Sequence, residues 1–503
     1  MNPKRMQLSM MLLALIPALP LQAAAAAQLW AGVAKVDITN EEARPVHDRL
    51  YAKALVLRSG TTTAAIITID AVAIAEIGTI RNDYLAKVRA RIQKELHIEP
   101  SNVLVNASHC HGSVRSDVDQ LSFEAVRQAA RNMVPVNVGA GTGYEDRIME
   151  NRRMKLKDGR EADVRRAYSL PPDSEVVSVG PVDPQIGILR LDRKDGRTLA
   201  VIYNFACHPI EALPNGANSA DIVGFASKAI EDTLGDGAMA FFLQGAGGDV
   251  NPIFYKDVDH PRNPEALGDM LGLSTLRGLR MIRSKDDGRL TVVNHTLELP
   301  RADTAKRIRA MEAEQATLLR SLKPTDLNLK TFIPLLVKYN MSAEFPSYYS
   351  YLYLHEKMMN RDNLISRDAE NRKHLQDYIS NIHTMEKLTR LQTNLALLRK
   401  HQADNLAAGK KTLTVEIAGV RIGDFVLVTF PGELTVEIGL GIKKRSPHKL
   451  TFVAGYTNGY IYYTPTAEQL KNVGGAQEDS DCLVAPEWQA IFERKVAEIL
   501  ETL

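Results

Sequence analysis

The chain has 503 residues, 45% of them apolar and 24% charged, values of an ordinary globular protein that exclude a disordered chain and a multi-span membrane protein. This length exceeds one ordinary domain, so one large unit with an added subdomain, or two domains, is expected. Sixty-two basic residues against sixty acidic ones leave a formal charge of +2, with no strong field of one sign to draw in nucleic acid or an anionic membrane.

The N-terminus carries Lys4 and Arg5, an apolar run from Leu8 to about Leu21, and small residues suited to a signal-peptidase cut between about Ala23 and Gln28. Residues 1–27 therefore read as a cleaved leader and residues 28–503 as the mature, exported chain, periplasmic or secreted. A membrane anchor is the alternative, but the run falls short of the roughly 20 residues a span needs, and Pro17 and Pro20 interrupt it. Three cysteines, Cys110, Cys207 and Cys482, allow at most one disulfide. Cys110 and Cys207 each adjoin a histidine of interest; they pair only if those histidines converge, and otherwise pack as small buried hydrophobes.

From Gln28 to about Pro300, β-branched runs such as "AAIITIDAVAIA", "NVLVNAS" and "LAVIYNFA" alternate with helical stretches such as "RNDYLAKVRARIQKELH". That alternation predicts an α/β fold with mixed sheets flanked by helices. "DGRLTVVNHTLELP" reads as a half-exposed strand closed by Pro300, and a boundary falls there. Residues 301 to about 410 are charged, helical in period and poor in glycine, and read as a helical insertion. Its aromatic segment "FPSYYSYLYLHEK" packs helices together or walls a substrate cleft. A strand, turn, strand follows in "KKTLTVEIAGVRIGDFVLVTFPGE", and the helix "APEWQAIFERKVAEILETL" closes the chain.

Chemistry gathers where apolar runs stop. At the end of "NVLVNAS", His109 and His111 occupy positions i and i+2, which on a strand share one face and suit a metal; a hydrogen-bonded structural role is the alternative. "LAVIYNFACHPIEAL" ends in His208, and "DFVLVTFPGE" ends in Glu433, the third and fourth candidates. Glu433 also suits an N-terminal cap on the helix that follows. The turn "QGAGGDVNP", through Gly245, Gly247 and Gly248 to Asp249 and Asn251, can aim backbone amides at an oxyanion, and lacks the Lys-Ser/Thr of a phosphate-binding loop.

Taken in order, "GVAKVDIT", "NASHCHGS", "NFACHPIEAL", "SADIVGF", "QGAGGDVNP", "FPGE" and "GYTNGYIYYTPT" resemble the catalytic domain of the neutral/alkaline non-lysosomal ceramidase family, from about Ala31 onward apart from the helical insertion. The resemblance implies a Zn2+-dependent amidase acting on an N-acyl, ceramide-like lipid. It implies His109, His208, Glu433 and Tyr463 as zinc ligands, with Tyr460 the next choice for the tyrosine. His111 then orients or relays a proton beside the metal, and Arg152, or its neighbour Arg153, faces the scissile group. Two departures bear on ceramide itself. Asn251 stands where the family has a serine proposed to be catalytic, and an amide is neither nucleophile nor proton shuttle. The family's usual C-terminal β-sandwich has no counterpart before Leu503. The partners implied are an acyl-amide substrate and at most a peripheral membrane contact, not nucleic acid. Competing readings are an amidohydrolase-type metal barrel built on the His-x-His alone, and a non-catalytic lipid- or cell-wall-binding protein that keeps the pocket.

Overall fold

A computed structural model of the chain describes residues 28–163, 170–212, 216–255, 257, 259–260, 262–347, 349–472 and 475–503. The expected leader, 1–27, lies outside the described residues, as does Tyr348 of the aromatic segment.

The β-branched runs of the first half build an eight-stranded mixed sheet. Its order is Met239–Gln244, Thr198–Phe205, Gln185–Arg193, Val134–Tyr144, Trp30–Asp37, Tyr51–Ser59, Thr62–Ile69, Val103–Ala107. Neighbours run antiparallel except at the two ends, where Thr62–Ile69 is parallel to Val103–Ala107 and Thr198–Phe205 is parallel to Met239–Gln244. A parallel pair needs a crossover; α1 (Tyr84–Leu96) supplies the first, and α3 (Asp221–Leu234) supplies the second, after α2 (Val118–Arg131). The sheet curls until its two ends touch, with the Gln244 amide donating to Asn106 Oδ1 at 3.0 Å. The C-terminal ends of both parallel pairs, where ligands enter such sheets, thereby come to one place.

Strand alternation decides the layers. Ala54, Val56 and Ile67 pack under α1 and α2, while Val201, Tyr203 and Phe242 pack under α3 and α4 (Pro264–Arg280). The opposite face carries Leu57, Leu104, Leu189 and Phe241, and these meet Phe425 and Phe452 of a second sheet. Its order is Leu290–Pro300, Thr412–Ile422, Phe425–Thr429, Thr451–Ala454, the last two parallel. The architecture is α/β, two facing sheets with helices outside.

Leu290–Pro300 pairs with Thr412–Ile422 along its whole length, with Pro300 opposite Thr412. The chain thus leaves and re-enters the second sheet at neighbouring points. Between them run α5 (Ala305–Ser321), α6 (Leu329–Met341), α7 (Tyr351–Met358) and α8 (Asn363–Ala407), the last of 45 residues. Helices α9 (Val436–Arg445) and α10 (Trp488–Thr502) cover the second sheet, where Phe430 packs on Trp488 and Phe492. Cys110, Cys207 and Cys482 are buried free thiols, so no disulfide forms among them. No helix among the described residues is long and apolar enough to cross a membrane.

Candidate metal centre

Three strand ends deliver the centre. Past Val103–Ala107 the chain turns sharply: His109 adopts φ 68°, and its amide bonds the Ala71 carbonyl at 2.9 Å. His109 and His111 are therefore not an i, i+2 pair on a strand. A left-handed residue in a loop brings them together, with ring centroids 5.3 Å apart. Past Thr198–Phe205 comes His208, and past Phe425–Thr429 the Pro431-Gly432 turn presents Glu433. Glu433 then pairs across a two-stranded ribbon with Tyr463.

His109, His208 and Glu433 bring one ligand atom each within 4.8 Å of one another, and all three are buried. Each imidazole is oriented by a carbonyl: His109 Nδ1 lies 2.6 Å from Val72 O and His208 Nδ1 lies 3.0 Å from Val250 O. A carbonyl only accepts, so Nδ1 carries the proton and Nε2 presents its lone pair. The two Nε2 atoms face the Glu433 carboxylate at 3.6 and 3.1 Å. Burial pushes the His109 imidazolium down to about 4, against the pull of Glu433, and burial with the Arg152 charge lowers His208 as well. Burial alone would raise Glu433, but the two histidines and the Tyr460 hydroxyl hold it well below the usual carboxylate range. The Tyr456 hydroxyl donates to Glu433 Oε2 at 3.0 Å, and the Tyr460 hydroxyl donates to Oε1. Burial and the Glu433 charge push both phenols far up, so they remain donors.

Two imidazoles, each with Nδ1 turned to a carbonyl, thus aim Nε2 at one buried carboxylate, an arrangement that calls for positive charge between them. A cation satisfies that arrangement, and a nitrogen and oxygen donor set with outer hydrogen bonds on each ligand suits zinc.

The centre opens into a cavity of about 210 Å³. His111, half-buried, lines it, as do Arg152, Tyr460 and Tyr463. Arg152 is 2% exposed and charged: its Nε donates to Glu478 Oε1 at 2.6 Å, Nη1 to Asn251 Oδ1 at 2.9 Å and Nη2 to the Gly248 carbonyl at 2.6 Å. Burial opposes that charge, but Glu478 and Tyr463 hold it. The Tyr463 ring lies 5.5 Å from the Arg152 guanidinium and stacks at 6.4 Å on His208. Arg153 turns away to Glu161 and Asp479 and lines no part of the cavity.

The glycine turn does not face the cavity. Its amides at Gly245, Gly247, Gly248 and Val250 each donate to a backbone carbonyl, Gly248 to Leu434 at 2.8 Å, which leaves them none for an oxyanion. The glycines serve close approach instead: a Cβ on Gly247 would meet the Ala206 carbonyl carbon at 2.8 Å, and one on Gly248 would meet Glu433 O at 2.7 Å. Asn251 is wholly buried and reaches the cavity only through Arg152. Glu433 does not cap α9. Asp249 does, its Oδ1 accepting from the Val436 amide at 2.8 Å.

Sequence reasoning missed several contributors. Tyr456 holds the carboxylate from behind, and Asp481, Tyr462, Tyr255 and Ile77 complete the wall. The helical segment also reaches the site: on α8, Lys400 donates to the Tyr462 hydroxyl at 2.8 Å, and His401 Nε2 lies 2.7 Å from Asp481 Oδ1. The described residues of the aromatic run line no part of the cavity; Tyr353 is buried against α8, where its hydroxyl meets Asp368.

No protein-family model and no curated protein sequence matches the chain. Among solved structures it is similar to the neutral ceramidase from Pseudomonas aeruginosa, with a TM-score of 0.60 and 16% identity over 95% of this chain and 74% of that one. It is likewise similar to a ceramidase complexed with C2, with a TM-score of 0.59 and 16% identity over 94% and 75% of the two chains. The chain therefore has a ceramidase-like fold.

Proposed function

We propose that this chain is a zinc-dependent hydrolase of acyl-amide bonds, with His109, His208 and Glu433 holding the metal and a tyrosine of the 460–463 run completing its surroundings. One observation carries the reading: two neutral imidazoles, each fixed by a backbone carbonyl, aim their Nε2 lone pairs at an ionised, buried carboxylate on the wall of a cavity. The ceramidase-like fold supports amide hydrolysis as the reaction class.

Zinc bound there would supply Lewis acidity toward a carbonyl and would lower the pKa of a bound water toward neutrality. The protein's own residues do the rest. Arg152 presents a fixed positive charge to the cavity, suited to hold the acyl carbonyl and the negative charge that gathers on it. Glu478, Asn251 and the Gly248 carbonyl fix the guanidinium's plane, which gives Asn251 a positioning role that needs no hydroxyl. His111 lies next to His109 on the half-exposed side and suits proton delivery to the departing amine nitrogen. The Tyr463 ring and Ile210 shape the wall that excludes water. Ceramide is one N-acyl amide within this class; Ile77 and Ile210 are the cavity's aliphatic lining, so a compact acyl amide fits the described walls well. We read residues 1–27 as an export leader, and the mature enzyme as periplasmic or secreted.

The test is zinc per chain and turnover on N-acyl amides, ceramides and N-acyl amino acids included, for wild type beside His109→Ala and His208→Ala. About one zinc per chain in the wild type, lost with turnover in both variants, supports the reading. A wild type that binds no stoichiometric metal refutes it.

A further inference from the structure

Two consecutive residues of α8 each hold one residue of the cavity wall. Lys400 Nζ donates to the Tyr462 hydroxyl at 2.8 Å, and His401 Nε2 lies 2.7 Å from Asp481 Oδ1. The His401 ring also packs 4.6 Å from the Tyr462 ring, so one imidazole touches both wall residues. Tyr462 and Asp481 line the cavity and are otherwise buried, at 8% and 9% exposure. Tyr462 adopts φ 62°, a left-handed backbone that bulky residues rarely take and that clusters at ligand sites.

The hydrogen-bonding capacity left at these two residues is complementary. An ammonium only donates, so the Tyr462 oxygen accepts from Lys400 and keeps its own proton to give. Lys400 is the one hydrogen-bond partner of that hydroxyl among the described residues. Asp481 commits Oδ1 to His401, and its second oxygen bonds no described residue and can accept. A donor and an acceptor on one wall match a hydroxyl group, which both gives and takes a hydrogen bond. An anionic group would meet the Asp481 carboxylate, and a cationic one would meet the Lys400 ammonium behind the phenol. The remaining wall is of the same character: imidazoles, the Arg152 guanidinium and the rings of Tyr255, Tyr460 and Tyr463, with Ile77 and Ile210 the aliphatic residues among those described. Such a wall offers a long alkyl chain little area to bury against and suits a substrate rich in oxygen.

We propose that Tyr462 and Asp481 form a subsite for a hydroxyl group of the substrate, with Lys400 and His401 of α8 as the residues that position them. The substrate it selects is an acyl amide dense in hydroxyl groups, of the kind an N-acylated amino sugar presents, rather than one dominated by alkyl chains. This class rests on the acyl-amide reading of the same cavity.

The experiment is an NMR titration of the zinc-loaded, full-length chain with N-acetylglucosamine and with N-acetylcyclohexylamine, reading binding and acetate release on the same samples. The second compound shares the acyl amide and a six-membered ring and has no hydroxyl. Wild type is expected to bind the sugar amide about 10- to 100-fold more tightly, the worth of charge-assisted hydrogen bonds. Tyr462→Phe should cut that preference about tenfold, and Asp481→Asn, which trades a charged acceptor for a neutral one, should do the same. Lys400→Met should match Tyr462→Phe, Lys400→Arg should restore the preference, and Lys400→Met added to Tyr462→Phe should cost nothing more. A lysine that merely packed against the wall would show neither the rescue nor the coupling. Lys400 is exposed, so its variants carry the test even where another variant unfolds. Equal affinity for the two amides, a preference that survives Lys400→Met and Tyr462→Phe, or turnover of a short-chain ceramide ahead of the sugar amide would each overturn the proposal. Preferential binding without acetate release would leave the subsite standing and refute hydrolysis, and release from both amides without preference would do the reverse.

Discussion

His208 Nε2 and Glu433 Oε2 lie 3.1 Å apart although 225 positions separate the two residues in sequence. With His208 Nδ1 turned to the Val250 carbonyl, Nε2 faces the carboxylate, an arrangement that a cation between them satisfies. Glu433→Gln preserves volume and removes the charge. The expected outcome is loss of stoichiometric zinc with a cooperative unfolding transition retained, measured by elemental analysis and calorimetry on the same sample. Retention of wild-type zinc would sink the assignment.

Much of this arrangement was legible because parallel strands hand over their chemistry at their C-terminal ends. His109, His208 and Glu433 each follow an apolar run within a few residues, and a run's end is visible in sequence. What stayed hidden depends on contacts between distant segments. The amide that Asp249 caps belongs to Val436, 187 positions on, and Arg152 meets Glu478 across 326. The role of the glycine turn was hidden for the same reason: its spacing shows room for a ligand, but the space is filled by the backbone of Ala206 and Glu433. The left-handed turn at His109 carries only a weak local signal, since histidine shares the enrichment of asparagine and aspartate at positive φ but adopts it in a small minority of cases.

Arg152 and Glu478 form an ion pair at 2.6 Å with side chains 2% and 0% exposed. Removing one partner of such a pair leaves the other charge buried without compensation, which costs about 3–5 kcal/mol. Glu478→Gln should therefore lower stability by about 3 kcal/mol or more in denaturant unfolding. Because Arg152 also loses its orientation, turnover per bound zinc should fall by about 10²-fold. Full activity in a folded Glu478→Gln protein would remove Arg152 from the reaction.

Asp221, in the "SADIVGF" run, accepts from the Ala212 and Ile222 amides at 2.6 and 2.7 Å and adopts φ 59°. Burial outweighs those bonds and pushes its carboxyl up to about 7 from an ordinary 3.8. An acid whose folded pKa is raised favours the native state fully below its unfolded pKa, and that advantage is lost as pH rises through the folded value. Wild-type stability should fall between about pH 4 and pH 7 by up to about 4 kcal/mol from this group. Asp221→Asn, which also tolerates the left-handed backbone, should flatten the slope in that window. Parallel stability curves for the two proteins from pH 4 to 7 would show that Asp221 is ionised throughout.

His401 links the long helix to the cavity. It is 1% exposed, its Nε2 lies 2.7 Å from Asp481 Oδ1, and its ring packs 4.6 Å from Tyr462; both partners line the cavity. The Tyr463 amide in turn bonds the Asp481 carbonyl at 3.0 Å, so a shift of Asp481 reaches the tyrosine that pairs with Glu433. His401→Leu fills most of the volume but leaves Asp481 short of a donor, at a cost of about 1–3 kcal/mol. We expect zinc content to stay at the wild-type level while kcat/KM falls about tenfold, since a displaced wall misplaces substrate and not metal. His401→Gln, which restores an N–H donor, should recover much of that loss. If His401→Leu loses zinc as well, the residue supports the metal centre and not the substrate wall; if the glutamine variant recovers nothing, packing against Tyr462 is what matters.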